Sequence, residues 1–359
     1  MYRIAIINNW LISGGAEKQG LILAKTLSKD YKVFFCIYYP HKLEDKFLKE
    51  INDNNIQLIL LKGNHFNKFY TFYDVCKKNE ISMIISYLFA GNFMNGLIGS
   101  FLKVPYRIGG IRNSKHSAIK NLTQRTLHNY LLTMSISNSY MGMNECIKFG
   151  FVQNKMKVVH NSFEFNKETY QKTVNACIKV ITVARFVEQK DYLTSLKAIQ
   201  YAVSKSGNIK IQYIIIGYGK LENKIREWIN ENMLTDFVTI ILNPENVNEY
   251  LSQSDIYLST SLFEGLSNSI MEGMSFSLPI VATNVGDNNQ LVKVGFNGYL
   301  TETGNYKKLG DYILELSKNP KKRIELGHNS YSHLKENFSH EKFKDSYLKI
   351  IKPLLAEKG

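Results

Sequence analysis

Along almost all of its 359 residues this chain alternates short β-rich apolar runs with segments of helical period. That alternation constrains the fold more than any other feature. Apolar runs of strand length, separated by helices, must be buried on both faces, and the arrangement that achieves this is a parallel, doubly wound sheet. The first series has strand-like runs at 3–8, 33–37, 56–61, 83–87, 106–111 and 134–137, and a run at 158–162 closes it. Helical patterns lie between them: Leu21, Ala24 and Leu27 share one face, and further helices are expected at 69–79, 93–102, 122–132 and 141–149. Residues 163–176 are polar and aperiodic, which predicts a linker. The pattern then restarts, with strands at 179–183, 211–216, 238–242, 256–258, 280–282 and 298–300 and helices at 192–204, 221–232 and 247–252. The tail reads as two or three helices broken at Asn319-Pro320. The expectation is two Rossmann-like domains, 1–165 and 170–339, facing across a cleft lined by strand carboxyl ends.

Bulk properties exclude several classes. Hydrophobic content of 44% and charged content of 21% are globular values. Cys36, Cys76, Cys146 and Cys177 are scattered, which argues for reduced thiols in a cytoplasm and against a zinc site. The amino terminus lacks a signal-peptide layout. Residues 81–104 are long and apolar, but Asn92, Asn95 and Ala90-Gly91 interrupt them, so they read as a buried strand and a buried helix rather than a span. Residues 1–165 hold 21 Lys and Arg against 10 Asp and Glu, and the remainder holds 24 against 21. The excess in the first half suits an anionic partner such as a membrane surface, or else reflects a Lys-rich composition with no function. No nucleic-acid motif accompanies it.

The chemistry concentrates in 255–286, a strand–loop–helix–strand unit with Glu264 in the loop and Glu272 in the helix. Either acid alone is most simply a surface residue, but the pair at this spacing suits the gripping of sugar hydroxyls. The amides of Leu266, Ser267 and Asn268 stand at a helix start and can hold a phosphate. Arg185 and Lys190 follow the strand at 179–183 and can neutralise a diphosphate without a metal. No Asp-x-Asp occurs. Gly217-Tyr218-Gly219 follows the next strand but lacks a third glycine, which counts against a dinucleotide fingerprint. Gly14 and Gly15 open the first helix, a place that favours an anion. Arg112 and His116 follow a strand end, where they can face an acceptor. His328 and His333 read as surface residues.

These residues together resemble the group-1 family of retaining glycosyltransferases, family 4, with the GT-B fold. Glu264 and Glu272 are similar to the family's E-x7-E motif, and Arg185 and Lys190 to its R-x4-K pair. Gly217-Tyr218-Gly219 resembles its G-x-G turn, and Pro279-Ile280-Val281-Ala282 with Gly298 its carboxyl-terminal signature. Gly14-Gly15-Ala16-Glu17 looks like its amino-terminal loop. The likeness is strongest from about 178 to 304 and looser between 40 and 160. It implies a nucleotide-sugar donor on the second domain, an acceptor mainly on the first, and a last helix, about 340–359, packing back on the first domain. It implies that Arg185 and Lys190 neutralise the diphosphate, that Glu264 contacts the sugar and that Glu272 contacts the ribose. It also implies retention of anomeric configuration with no metal, no cofactor and no protein nucleophile. Three departures stand out: Gln290 where the family often has Glu, Arg112 or Asn113 where many members have His, and Asn161-Ser162 for an N-G turn.

The expected function is therefore transfer of a sugar onto a lipid-linked bacterial surface glycan of capsule, O-antigen or lipopolysaccharide type, at the inner face of the cytoplasmic membrane. The alternatives are a sugar-nucleotide epimerase or hydrolase on the same fold, and a non-catalytic basic binding protein. The epimerase or hydrolase would need dedicated acid and base residues, and the binding protein would not need both paired motifs.

Overall fold

A computed structural model describes residues 2–11, 15–41, 43–112, 118–165 and 177–356. The chain divides into two compact units, Met1–Ser162 with His340–Gly359, and Phe163–Ser339. In the first unit the order is β1 (Arg3–Asn8), α1 (Gly15–Leu27), β2 (Lys32–Ile37), α2 (Asp45–Asp53), β3 (Gln57–Leu60), α3 (His65–Lys78) and β4 (Met83–Tyr87). It continues with α4 (Leu88–Phe101), β5 (Tyr106–Ile111), α5 (Ala118–Thr126), a π-helical turn Leu127–Leu131, β6 (Met134–Ser137), α6 (Tyr140–Lys148) and β7 (Met156–Val158). The second unit has β8 (Cys177–Val183), α7 (Tyr192–Lys205), β9 (Lys210–Gly217), α8 (Glu222–Glu231), β10 (Val238–Leu242), α9 (Val247–Ser252) and β11 (Ile256–Ser259). Then follow α10 (Asn268–Ser275), β12 (Ile280–Thr283), α11 (Asn288–Leu291), β13 (Gly298–Thr301), α12 (Tyr306–Lys318) and α13 (Pro320–Phe338). The last helix, α14 (His340–Ala356), belongs to the first unit.

Both sheets are wholly parallel, in the orders β3-β2-β1-β4-β5-β6-β7 and β10-β9-β8-β11-β12-β13. Each reverses direction beside its first strand, so each has a switch point, between β1 and β4 and between β8 and β11. Alternate strand residues bury against opposite helix layers. Ile4 and Ile6 pack with α1, α2 and α14, whereas Ala5 and Ile7 pack with α3 and α4. In the second unit Val180 and Tyr213 join α7, α8 and α12, and Ile181 and Tyr257 join α10 and α13. Burial raises the thiols of Cys36, Cys76 and Cys146, pushing Cys76 up to about 12 and Cys146 to about 11.

Several expectations are adjusted. α2 was not expected, although Phe47, Leu48 and Ile51 share one face of it and pack on the core. α4 begins five residues earlier than its pattern predicts, at Leu88, which takes a left-handed φ of 64° directly after β4. The two asparagines that interrupt the apolar run both lie within α4. Asn92 donates to Gly110 O at 2.9 Å and accepts from Gly110 N–H at 3.1 Å and from Ser86 Oγ at 2.8 Å. Asn95 Nδ2 donates to Ile108 O at 3.1 Å. Both are fully buried and clamp α4 to the sheet. Nor is α4 buried all round, since Leu97 and Phe101 stand in solvent. His333 is half-buried rather than on the surface, with its Nε2 against Gln290 O and its Nδ1 against Asn337. Replacing Asn92 with leucine strands the amide and carbonyl of Gly110. It is expected to destabilise the first unit by about 2–3 kcal/mol, read as a lowered urea midpoint in equilibrium unfolding.

Candidate donor site at the carboxyl ends of the second sheet

The loops after β9, β8 and β11 lie side by side, because those three strands are neighbours in the sheet. Backbone hydrogen bonds join them. Ala184 N–H donates to Ile216 O and Phe186 N–H to Tyr218 O, at 2.9 and 2.8 Å. A Cβ added at Gly217 would stand 1.9 Å from Ala184 O, so only glycine lets these backbones meet. On the other side Leu262 N–H donates to Gln189 O at 2.8 Å, and Gln189 Nε2 donates to Phe263 O at 2.8 Å. Thr260 Oγ1 lies 3.0 and 2.9 Å from the carbonyls of Lys190 and Asp191. Asp191, in a left-handed conformation, then caps α7 through Thr194.

This stitching brings two sequence motifs into contact. Lys190 Nζ donates to Glu264 Oε1 at 2.5 Å, with the side chains only 15% and 10% exposed. Ser261 Oγ donates to the same oxygen at 2.7 Å. Oε1 is thus fully engaged, while Oε2 has no hydrogen bond to a described residue. Ser261 was not foreseen from the sequence, although a hydroxyl three residues before a loop carboxylate is a local signal that such a bond can form. Gly286 supports the same loop from β12. Its φ is 57°, a Cβ there would lie 2.1 Å from Glu264 O, and Asp287 N–H donates to Gly265 O at 2.9 Å. Gln290, the departure noted above, sits one helical turn beyond and donates to Asn289 Oδ1 at 3.1 Å.

The other expected residues are placed as follows. Arg185 is exposed and forms no ion pair among the described residues. Leu266 is half-buried against the core, Ser267 caps α10 by accepting from Ile270 N–H, and Asn268 is the exposed first residue of that helix. Glu272 is half-buried on α10, and its carboxylate has no hydrogen bond or ion pair to a described residue. Burial pushes its carboxyl above the ordinary range. In the first unit Gly15 opens α1, while Gly14 and His116 lie outside the described residues. Arg112 is taken up by the fold. Its guanidinium donates to Asn161 and to Tyr347 Oη of α14, and lies 4.7 Å over the Tyr87 ring. A cavity of about 310 Å³ opens at the carboxyl ends of β1, β4 and β5, lined by Asn9, Trp10, Tyr39, Phe89, Lys120 and Gln124 among others. Trp10 and Tyr39 stack there with ring centroids 5.3 Å apart. Among the described residues no group of three His, Cys, Asp or Glu could hold a metal ion.

The raised Glu272 value has a stability consequence with a defined sign. The fold disfavours the ionised carboxyl, so the cost is fully present above the folded value and absent below the unfolded value of about 4.3. Glu272→Gln is expected to raise the unfolding midpoint at pH 7, with the gain shrinking as pH falls towards that value. Thermal melts across a pH series read this directly.

Residues 166–333 match the family described as glycosyl transferases group 1. The Staphylococcus aureus capsular polysaccharide biosynthesis glycosyltransferase CapH is 25% identical over 311 residues, covering 81% of this chain and 84% of that protein. A Campylobacter jejuni alpha-1,4-N-acetyl-D-galactosaminyltransferase, named for a diNAcBac-PP-undecaprenol-linked GalNAc acceptor, is 21% identical over 360 residues and 98% of each chain. The crystal structure of Anabaena HepE in complex with UDP superposes with a TM-score of 0.79 at 15% identity, covering 98% of this chain and 100% of that one. Residues 166–333 thus carry the group 1 glycosyl transferase match, and the chain as a whole has the GT-B fold.

Proposed function

We propose that this enzyme transfers a sugar, with retention of anomeric configuration as in family 4, from a nucleotide-sugar donor to a lipid-linked bacterial surface glycan. The observation that carries the reading is the Lys190–Glu264–Ser261 constellation. Lys190 Nζ spends one of its three donors on Glu264, which leaves two for phosphate oxygens. Glu264 Oε1 is held by Lys190 and Ser261, so Oε2 is left to accept from a sugar hydroxyl in a fixed orientation. Near-burial of the pair strengthens both interactions. Arg185 supplies a second, exposed cation for the departing diphosphate, so leaving-group charge is met by side chains without a metal. Glu272 accepts from the ribose hydroxyls, which accounts for a partly buried carboxylate with no partner among the described residues. Charge development at the sugar is oxocarbenium-like, and attack comes from the face the diphosphate leaves.

The acceptor assignment draws on the Campylobacter relative's name and on the stacked Trp10 and Tyr39 at the first unit's cavity, since sugar rings bind aromatic faces. The capsule relative and the basic first half of the chain support work on a surface glycan at the anionic inner face of the cytoplasmic membrane.

The test is transfer from a panel of nucleotide sugars to undecaprenyl-diphosphate glycans, with the product anomer assigned by NMR. Glu264→Ala and Lys190→Ala are each expected to lower kcat by about 10²–10³, with folding checked by circular dichroism. Arg185→Ala should act mainly on the donor KM, and Glu272→Ala on nucleotide affinity by calorimetry. Undiminished transfer in the first two variants would remove the site assignment. Release of free sugar or an epimer without acceptor would point to hydrolase or epimerase chemistry instead.

A further inference from the structure

The helix layer over one face of the seven-stranded sheet carries an apolar stripe that sugar transfer does not use. α4 contains no charged residue, and Phe89, Phe93, Leu97 and Phe101 recur on it at every fourth position. Phe89 and Phe93 are half-buried, while Leu97 and Phe101 are 41% and 75% exposed. On one side α3 adds Phe66 and Tyr70, exposed 78% and 66%, and is held alongside by Phe69 against Phe93 and Tyr73 against Phe101, both at 6.0 Å. On the other side α5 adds Ile119, 80% exposed, and the π-helical turn adds Tyr130, 79% exposed. Ser100 Oγ ties that turn to α4 by donating to Leu131 O at 3.1 Å. Single exposed apolar residues are ordinary, but a stripe continued across three adjoining helices marks an interaction surface.

The charge around the stripe selects its partner. By sequence, residues 65–132 carry nine Lys and Arg against two acids, Asp74 and Glu80, though Lys68, Arg107 and Arg112 are taken up inside the fold and Lys78 pairs with Asp74 at 2.9 Å. Lys77 and Lys78 at the end of α3 and Lys103 just past α4 are exposed, and Lys120 Nζ lies 5.1 Å over the Phe89 ring. A second copy of the chain would bring like charge against like charge, whereas an anionic lipid surface complements both the rings and the cations. Among the described residues no helix is long and apolar enough to cross a membrane. At 14 residues α4 is about 21 Å long, short of the ~30 Å hydrocarbon core, so it can lie in the interface but not span it. Phe89 and Lys120 also line the cavity of the first unit, so the stripe begins where that cavity ends.

We propose that the α3–α4–α5 face docks the enzyme on an anionic phospholipid bilayer, lying in the headgroup region without spanning it. The inference rests on the membrane reading above and names the surface that performs it. The full chain is sedimented with phosphatidylcholine vesicles, with and without phosphatidylglycerol. Wild type is expected to bind the anionic vesicles and to be weakened by high salt. The triple variant Phe101→Ser, Ile119→Ser, Tyr130→Ser should lose about tenfold or more in vesicle partition. Its melting and its transfer to a water-soluble short-chain acceptor should be unchanged. Charge reversal at Lys77, Lys78 and Lys103 should lower binding to anionic vesicles selectively. Wild-type binding with an equally bound triple variant overturns this face and leaves the membrane reading standing. Failure of wild type to bind any vesicle removes both. Loss of self-association in the triple variant, with vesicle binding intact, assigns the face to a second copy instead.

Discussion

The ion pair between Lys190 and Glu264 exists because the loops carrying its two halves cannot drift apart. Each follows a different strand, and each is bonded to its neighbour through backbone groups rather than long side chains. Thr260 and Gln189 add cross-loop bonds at the pair itself. Gly217 and Gly286 allow the flanking backbones to approach to distances that a Cβ would forbid. The lysine and the carboxylate are therefore oriented by the fold before any ligand contributes, and orientation of this kind is what electrostatic stabilisation of a leaving group requires.

The same economy of polar groups appears in the first unit. Asn92 and Asn95 sit fully buried in an apolar helix; bonds to Ser86 and Gly110 offset the cost for Asn92, and bonds from Asn95 Nδ2 to Ser86 and Ile108 offset part of it for Asn95. Those bonds hold α4 hard against the sheet on its inner side while its outer side stays apolar. Arg112 performs a comparable task for the last helix, reaching Tyr347 of α14 and Asn161 beyond β7. A cation that sequence position suggested for an acceptor is committed to holding three segments of the unit together. Glu272 is the contrast. It is a carboxylate kept half-buried with no hydrogen bond or ion pair among the described residues and with its ionised form disfavoured, an arrangement that stability alone does not explain.

Most strands and helices were legible because strand and helix periods differ, and a doubly wound sheet repeats the contrast many times. α2 was passed over, although Phe47, Leu48 and Ile51 mark one face of a short, otherwise polar helix. The start of α4 was not legible, since asparagine in an apolar run reads as a break unless its partners on β4 and β5 are known. Of the site, Arg185, Lys190, Glu264 and Glu272 stood out by spacing and by likeness to a family. Ser261 and Gly286 did not, because their roles depend on what lies opposite them in space.

By itself, then, the sequence determined the two series of βα units, the chemistry of the paired cations and acids, and the basic excess of the first half. These are properties of residue type and local order, which a chain displays without folding. Only the tertiary structure decided that Lys190 touches Glu264, that Arg112 turns inward, and that one face of α4 is buried while the other stands in solvent. Those outcomes depend on which strands become neighbours, and neighbouring strands such as β8 and β11 are separated by more than 70 residues of chain.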